Sequence, residues 1–278
     1  MSLRRRSPAR RPVPAAGLVL GCLTALALAS PSRRDPPEPD PCRVFTCDQG
    51  GVVRGRLDRK ELALVFTGGD YDDGLAFIRD VLRARRIPAG FFFTGDFYRA
   101  PAHGPLIRDL REDGHYLGPH SDRHLLYCDW EDRGRTLVGR AEFDRDLQAN
   151  FEAMRALGLR PGEVRCFIPP YEWYNRDIVR WARELGLVLF NFTGGTTSNA
   201  DYTVPSTENY LSSPAIFDNI LRFERTDPHG LNGVILLLHV GTDPERTDKF
   251  YFRLDELVRE LTGRGYAFVR IDRLLDLG

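Results

Sequence analysis

A parallel α/β fold is predicted from three observations. Short apolar runs alternate with segments of helical period along most of the chain. Several of the runs are continuously apolar, the pattern of strands covered on both faces. Gly114, Gly158, Gly186 and Gly265 stand where helical segments should end. Taken in order, strands are expected at 62–67 (LALVFT), 90–94 (GFFFT), 116–118 (YLG), 164–168 (VRCFI), 187–193 (LVLFNFT), 234–239 (VILLLH) and 267–271 (AFVRI). The helical segments between them are 75–86, 105–113, 142–157, 175–185, 214–225 and 253–264. A barrel and an open doubly wound sheet both fit seven such strands. Either one places its active site at the C-terminal ends of the strands.

The chain has 278 residues, 42% hydrophobic and 28% charged, the profile of a globular protein with a sizeable core. Lys plus Arg and Asp plus Glu are both 39, which argues against a dedicated nucleic-acid binder. Five of the arginines lie in the first 29 residues, so the remainder is mildly acidic, and no grip on anionic lipid is indicated. Residues 1–29 read as a signal peptide: a basic start, an apolar run from Ala15, and Ala27-Leu28-Ala29 before Ser30. The protein is therefore expected to be exported to the periplasm, the cell envelope or the medium. Membrane attachment would come only from an uncleaved leader or a lipid on Cys22. Residues 30–45 read as a Pro-rich tether. No linker interrupts the rest, so 46–278 is expected to be one catalytic domain. Cys42 and Cys47 can pair in an oxidising compartment, whereas Cys128 and Cys166 read as core residues. No C-x-x-C pair is present to form a thiolate zinc site.

The polar motifs fall at the strand ends. The first strand runs into Gly68-Gly69-Asp70-Tyr71-Asp72-Asp73-Gly74, whose crowded carboxylates need a cation or protons to neutralise them. The third runs into His120-Ser121-Asp122-Arg123-His124, with two imidazoles at i and i+4, as on one helix face. Pro169-Pro170-Tyr171-Glu172-Trp173-Tyr174 follows the fourth, and His239 ends the sixth. Two histidines and a carboxylate leave positions open on a divalent ion, the pattern of a catalytic site. Tyr71, Tyr127, Trp130, Trp173, Tyr174 and Tyr202 lie beside these motifs and could stack on sugar rings. His115 reads as a structural strand-end residue, and no role is read for His103 or His229.

At these residues the chain resembles the polysaccharide deacetylases, the NodB-homology domain of carbohydrate esterase family 4. Asp70-Tyr71-Asp72-Asp73-Gly74 resembles the family's T-F-D-D-G, His120 to His124 its H-[ST]-x-x-H, and Leu236-Leu237-Leu238-His239 its L-x-L-H. The resemblance implies a distorted (β/α) barrel of about seven strands. It implies Asp72 as general base, His239 as general acid, and Asp73, His120 and His124 as ligands of a divalent metal. That metal would be Zn²⁺, with Co²⁺ or Ni²⁺ as alternatives. The third motif, R-x-P-[YF]-G, is matched at Pro170 and Tyr171, with Ile168 for the arginine that orients the base and Glu172 for the glycine. Tyr171, Glu172 and Trp173 are accordingly placed at the oxyanion or the substrate. Asp70 stays open as an alternative base, and Asp201-Tyr202 is a loose match to the fourth motif, which ends D-W. The implied partner is an acetylated polysaccharide, such as an N-acetylglucosamine polymer or peptidoglycan. The implied reaction is loss of its N- or O-acetyl groups.

Three rival readings stand beside this one. The first is a deacetylase-like carbohydrate-binding protein without catalysis. The second is an aspartate-nucleophile phosphatase, suggested by Asp70-x-Asp72, although Gly74 stands where Thr or Val is wanted. The third is a calcium loop, which Gly74 enters one residue early.

Overall fold

The computed structural model describes residues 40–277, so the expected signal peptide and most of the expected tether lie outside the described residues. The strands are β1 (Thr46–Asp48), β2 (Gly51–Arg54), β3 (Glu61–Gly68), β4 (Gly90–Phe93), β5 (Tyr116–Pro119), β6 (Cys166–Phe167), β7 (Val188–Leu189), β8 (Ile235–His239) and β9 (Ala267–Phe268). The helices are α1 (Leu75–Arg85), α2 (Gly95–Arg99), α3 (Gly104–Glu112), α4 (Arg140–Ala156), α5 (Arg176–Glu184), α6 (Ser213–Thr226), α7 (Leu254–Gly263) and α8 (Ile271–Leu274).

The central sheet is parallel, in the order β5-β4-β3-β8, with β9 paired to the start of β3. Leu62 to Phe66 of β3 are fully buried, as are Phe91 to Phe93 of β4 and Ile235 to Leu237 of β8. Burial on both faces explains why these strands read as unbroken apolar runs. Phe66 stacks on Phe91 with ring centroids 5.1 Å apart, so aromatic packing adds to area burial at the centre of the sheet.

β6 and β7 form a separate parallel pair, and backbone bonds carry the wall onward. The Tyr116 hydroxyl accepts from Arg165 N and Cys166 N, both at 2.9 Å, bridging β5 to β6. Beyond β7, Asn191 N donates to Val52 O (2.8 Å), and Thr193 N donates to Ile235 O (3.0 Å) on β8. The strands therefore follow the course of a distorted barrel. β6 and β7 are two residues each, shorter than the apolar runs suggested, because side-chain and loop bonds replace the ladder at this seam.

The helix ends obey local chemistry. Thr94, Asn175 and Ser212 cap α2, α5 and α6 with side-chain oxygens. Gly114 and Gly186 follow α3 and α5 at φ +86° and +79°, a region that glycine enters without penalty.

Some features were not expected from sequence. Strands β1 and β2 lie outside the expected runs, and the end of the supposed tether is folded, with Pro41–Arg43 in a 3₁₀ turn. The Cys42–Cys47 pairing that the sequence allowed closes this turn onto β1. α2 also begins directly after β4. Among the described residues no helix is long and apolar enough to cross a membrane.

The register sets the site. Thr67 pairs with Phe92 and His239, Gly68 with Phe93, and Phe93 with Pro119. The tips of β3, β4, β5 and β8 thus end together on one edge, and a cavity of about 590 Å³ opens there.

Candidate active site

The chain leaves β5 at Pro119 and enters a loop, not the helix that the i, i+4 histidine spacing suggested. Ser121 and His124 adopt left-handed backbones, φ 69° and 54°. Two residues of α4 hold this loop. The buried Asp146 carboxylate accepts from Ser121 Oγ (2.6 Å), Tyr127 Oη (3.1 Å), Asp122 N (3.2 Å) and Arg123 N (3.1 Å). Asn150 Nδ2 donates to the carbonyls of Phe93 and Ser121.

The result brings the His120 and His124 rings within 5.0 Å, centroid to centroid. His120 Nδ1 lies 3.0 Å from the Ile168 carbonyl, which places its proton there and leaves the Nε2 lone pair for the cleft. Burial, and then the charge of His124, push the pKa of His120 well below its usual value. Burial likewise pushes His124 down to about 4, against the opposing charge of Asp70. Both rings are therefore neutral near pH 7.

His239 lies half-buried at the tip of β8. Its Nδ1 is 2.7 Å from Asp201 Oδ1, and its backbone N donates to Asp201 Oδ2 at 2.9 Å. Burial disfavours the charged ring, but the charge and hydrogen bond of Asp201, with the charge of Glu172, outweigh it and raise the pKa. Asp201 is 2% exposed and sits in the segment that loosely matched the fourth motif.

The three acids after β3 part company. Asp70 lines the cleft. Asp72, the base implied by the resemblance, is outside its lining; its Oδ2 is 2.9 Å from Nε2 of His103, whose ring stacks on Phe97. Asp73, the implied metal ligand, also points away. It accepts from Thr242 N (2.9 Å) and Tyr251 Oη (2.8 Å) and pairs with Lys249 Nζ at 3.1 Å. Burial raises its pKa, but these three partners prevail and hold it below the usual carboxylate value. The physical reason is the end of the strand. β3 finishes at Gly68, so the D-D-G run lies in the turn into α1, packed on Gly241, where an added Cβ would stand 2.4 Å from Asp72 N. Asp72 and Asp73 tie two loops together.

Glu172, by contrast, lines the cleft. It sits in a 3₁₀ turn over Pro170–Glu172, where Tyr171 and Glu172 are both left-handed, φ 57° and 53°. Each such non-glycine residue costs about 1–2 kcal/mol. The Asn191 amide holds the turn by donating to Glu172 O at 2.7 Å. The Glu172 side chain is 12% exposed, and its Oε1 stands 4.0 Å from His120 Nε2. Burial pushes its pKa up to about 7, against the charge of His239.

The aromatic residues divide. Tyr127 and Tyr174 are core, fully buried. Trp130, Tyr171, Tyr71 and Tyr202 are exposed around the cleft. Trp173 is not in the lining. It stacks behind Trp130 (5.7 Å, 26°), donates Nε1 to Asp129 O, and carries the Arg133 guanidinium 4.3 Å over its face. His115 Nδ1 accepts from Ala89 N, in keeping with a structural residue.

The structure thus brings together Asp70, His120, His124, Tyr171, Glu172 and His239, and leaves Asp72, Asp73 and Trp173 outside. The Asp73–His120–His124 metal trio does not fit: two imidazole lone pairs are in place, but the carboxylate is committed elsewhere. Among the described residues no three His, Cys, Asp or Glu side chains stand close enough together to hold an ion. Asp146 was missed from sequence, although Asp146 and Asn150 share one face of α4 with Phe143 and Leu147, where polar residues are out of place.

Comparison with known proteins agrees with this architecture. The family described as Polysaccharide deacetylase matches residues 54–190. The chain belongs to this family. It is 25% identical over 224 residues to a peptidoglycan-N-acetylglucosamine deacetylase of Bacillus cereus, covering 78% of this chain and 89% of that one. A chitooligosaccharide deacetylase of Sinorhizobium fredii is 26% identical over 227 residues, covering 77% and 92%. Among solved structures, Bacillus subtilis PdaA, a family 4 carbohydrate esterase, superposes with a TM-score of 0.62 at 22% identity, over 81% of this chain and 85% of that one. A family 4 pseudoenzyme from Bacillus anthracis superposes with a TM-score of 0.63 at 18% identity, over 83% and 70%. The polysaccharide deacetylase fold is thus shared by enzymes and by at least one inactive relative.

Proposed function

We propose that this polysaccharide deacetylase removes acetyl groups from an exported or cell-envelope polysaccharide of N-acetylglucosamine type. The observation that carries the reading is the His239–Asp201 pair at the tip of β8, a histidine whose protonated form a carboxylate favours, lining an aromatic-rimmed cleft. Amide cleavage needs such a group, because an amine leaves readily only if it receives a proton as the C–N bond breaks. A carboxylate must take a proton from the attacking water, and Asp70 and Glu172 both face the cleft. Trp130, Tyr171, Tyr71 and Tyr202 offer ring faces to the C–H faces of sugars. The Cys42–Cys47 disulfide supports export, since such bonds persist in oxidising compartments.

Family 4 deacetylases are generally metal-dependent. A divalent ion, zinc in the reading from sequence, would meet the lone pairs of His120 and His124. The expected third ligand, Asp73, is committed outside the cleft to Thr242, Tyr251 and Lys249.

The test is acetate release by the purified chain from chito-oligosaccharides and peptidoglycan, with metal-stripped protein to which Zn²⁺, Co²⁺ or Ni²⁺ is restored. Acetate above the blank on at least one substrate is expected. A second reading, a carbohydrate-binding protein without catalysis, is favoured by the turning of Asp72 and Asp73 away from the cleft. Sugar binding with no acetate release under every condition would decide for it.

A further inference from the structure

We propose that Glu172 is the catalytic carboxylate that takes the proton from the attacking water, standing in for the first-motif aspartates that turn away from the cleft. The inference rests on the deacetylase reading.

The backbone speaks first. Tyr171 and Glu172 are consecutive non-glycine residues at positive φ, where the family's third motif offers glycine at the second position. Strain of this kind persists only when something else fixes the position. The Asn191 amide on the Glu172 carbonyl and the Glu172 N–H on the Pro169 carbonyl fix it here. A glycine would satisfy both bonds without strain, so the retained side chain needs a separate reason.

The side chain gives no structural reason. Among the described residues no hydrogen bond reaches the Glu172 carboxylate, although only 12% of the side chain is exposed. A buried carboxylate held for stability normally has donors. This one instead points into the cleft, 4.0 Å from the Nε2 lone pair of His120 and within the field of His239. The buried hydroxyl of Thr67 has no partner, lines the same cleft, and is level with His239 in the sheet register. A buried hydroxyl without a partner and a carboxylate without a protein donor therefore border one space in which a water can be held and deprotonated.

The other carboxylates are less suited. Asp73 is committed to three donors, and Asp72 is 54% exposed and bound to His103. Ile168, fully buried, has replaced the arginine that would have oriented a base in the first motif. Asp70 lies on an exposed turn after two glycines, whereas Glu172 is fixed by a strained turn.

In the step itself, a water O–H proton passes to a Glu172 carboxylate oxygen as the water oxygen bonds to the acetyl carbonyl carbon. The C–N bond (or C–O in an ester) then breaks as His239 gives its proton to the leaving atom. Acetate departs, Glu172 returns its proton to solvent, and His239 regains one.

The experiment uses the full chain and the best substrate from the acetate screen. Glu172→Gln should lower kcat by about 10²- to 10⁴-fold while KM stays within about threefold. Asp72→Asn should keep kcat within about twofold of wild type. Glu172→Gly, which relieves the backbone, should melt no lower than wild type, lose turnover, and regain part of it with added formate. That rescue is not expected of a merely structural residue, and it keeps the test valid if Glu172→Gln folds poorly. Glu172→Gln with more than about a tenth of wild-type kcat, Asp72→Asn as damaged as Glu172→Gln, or Glu172→Gly unmoved by formate would each overturn the assignment while acetate release by the wild type leaves the deacetylase reading standing. Wild-type protein with no acetate release on any substrate would overturn both.

Discussion

His239 illustrates how one neighbour decides a residue's chemistry. Its burial alone would favour a neutral ring, and only the Asp201 carboxylate at 2.7 Å reverses the balance. A general acid works while protonated, so activity should fall as pH rises through the His239 pKa, which lies above 6.5. Asp201→Asn keeps the shape and removes the charge. Burial then dominates, the pKa drops, and the alkaline limb of the pH–rate profile should move by about one unit or more towards acid. Profiles of kcat/KM for both proteins check this; coincident alkaline limbs would remove Asp201 from the role. The same scale shows what sequence could and could not tell. His120 and His239 were legible because each stands directly at the end of an apolar strand, and His124 through its spacing from His120. Asp72 and Asp73 misled because a spacing motif carries no information on where its strand stops. Gly68-Gly69 were the signal that kept Asp70 open, marking the chain's departure from β3 before any acid is reached.

The loop after β5 shows how an element can reach the outcome of a regular one without its geometry. Histidines at i and i+4 meet on a helix by periodicity; here they meet because Asp146 and Asn150 of α4 fold the loop around left-handed Ser121 and His124. The sequence reading had the right pair and the wrong element, since the spacing is the same in both. Asp146→Ala would strand two hydroxyls and two backbone N–H groups in a largely buried setting. Each buried group left unsatisfied costs about 1–3 kcal/mol, partly recovered by water, so a loss of about 3 kcal/mol or more is expected in urea unfolding. A loss below about 1 kcal/mol would mean that the loop holds its shape without α4. The strands and long helices were legible from period and burial. The strands of the seam, β6 and β7, were legible too, but not how short they are, because beyond pairing with each other they are held by a tyrosine hydroxyl and loop groups distant in sequence.

Across the whole molecule, the parallel sheet buries imidazoles at both ends of β5, and this couples stability to pH. His115, at the opposite end of that strand from the cleft, accepts the Ala89 N–H on Nδ1 and is 6% exposed. Burial, aided by the charge of Arg79 and opposed by that of Asp113, pushes its pKa down to about 4. The unfolded chain therefore binds a proton, between its ordinary value of 6.5 and about 4, that the folded chain refuses. Stability is lost as pH falls through that window, and the share from His115 is about 2–3 kcal/mol by pH 4.5. His120 and His124 push the same way. Glu172 and His239, whose pKa values are raised, push the other way, since a raised group stabilises at low pH and loses that effect as pH climbs through its folded value. His115 can be tested apart from these because it lies far from the cleft. Asn at 115 can still accept the Ala89 N–H through its side-chain oxygen but does not titrate. His115→Asn should therefore match wild type within about 1 kcal/mol at pH 7 and exceed it by about 2 kcal/mol at pH 4.5 in urea unfolding. Parallel losses in the two proteins on going from pH 7 to pH 4.5 would show that this imidazole is not held neutral by the fold.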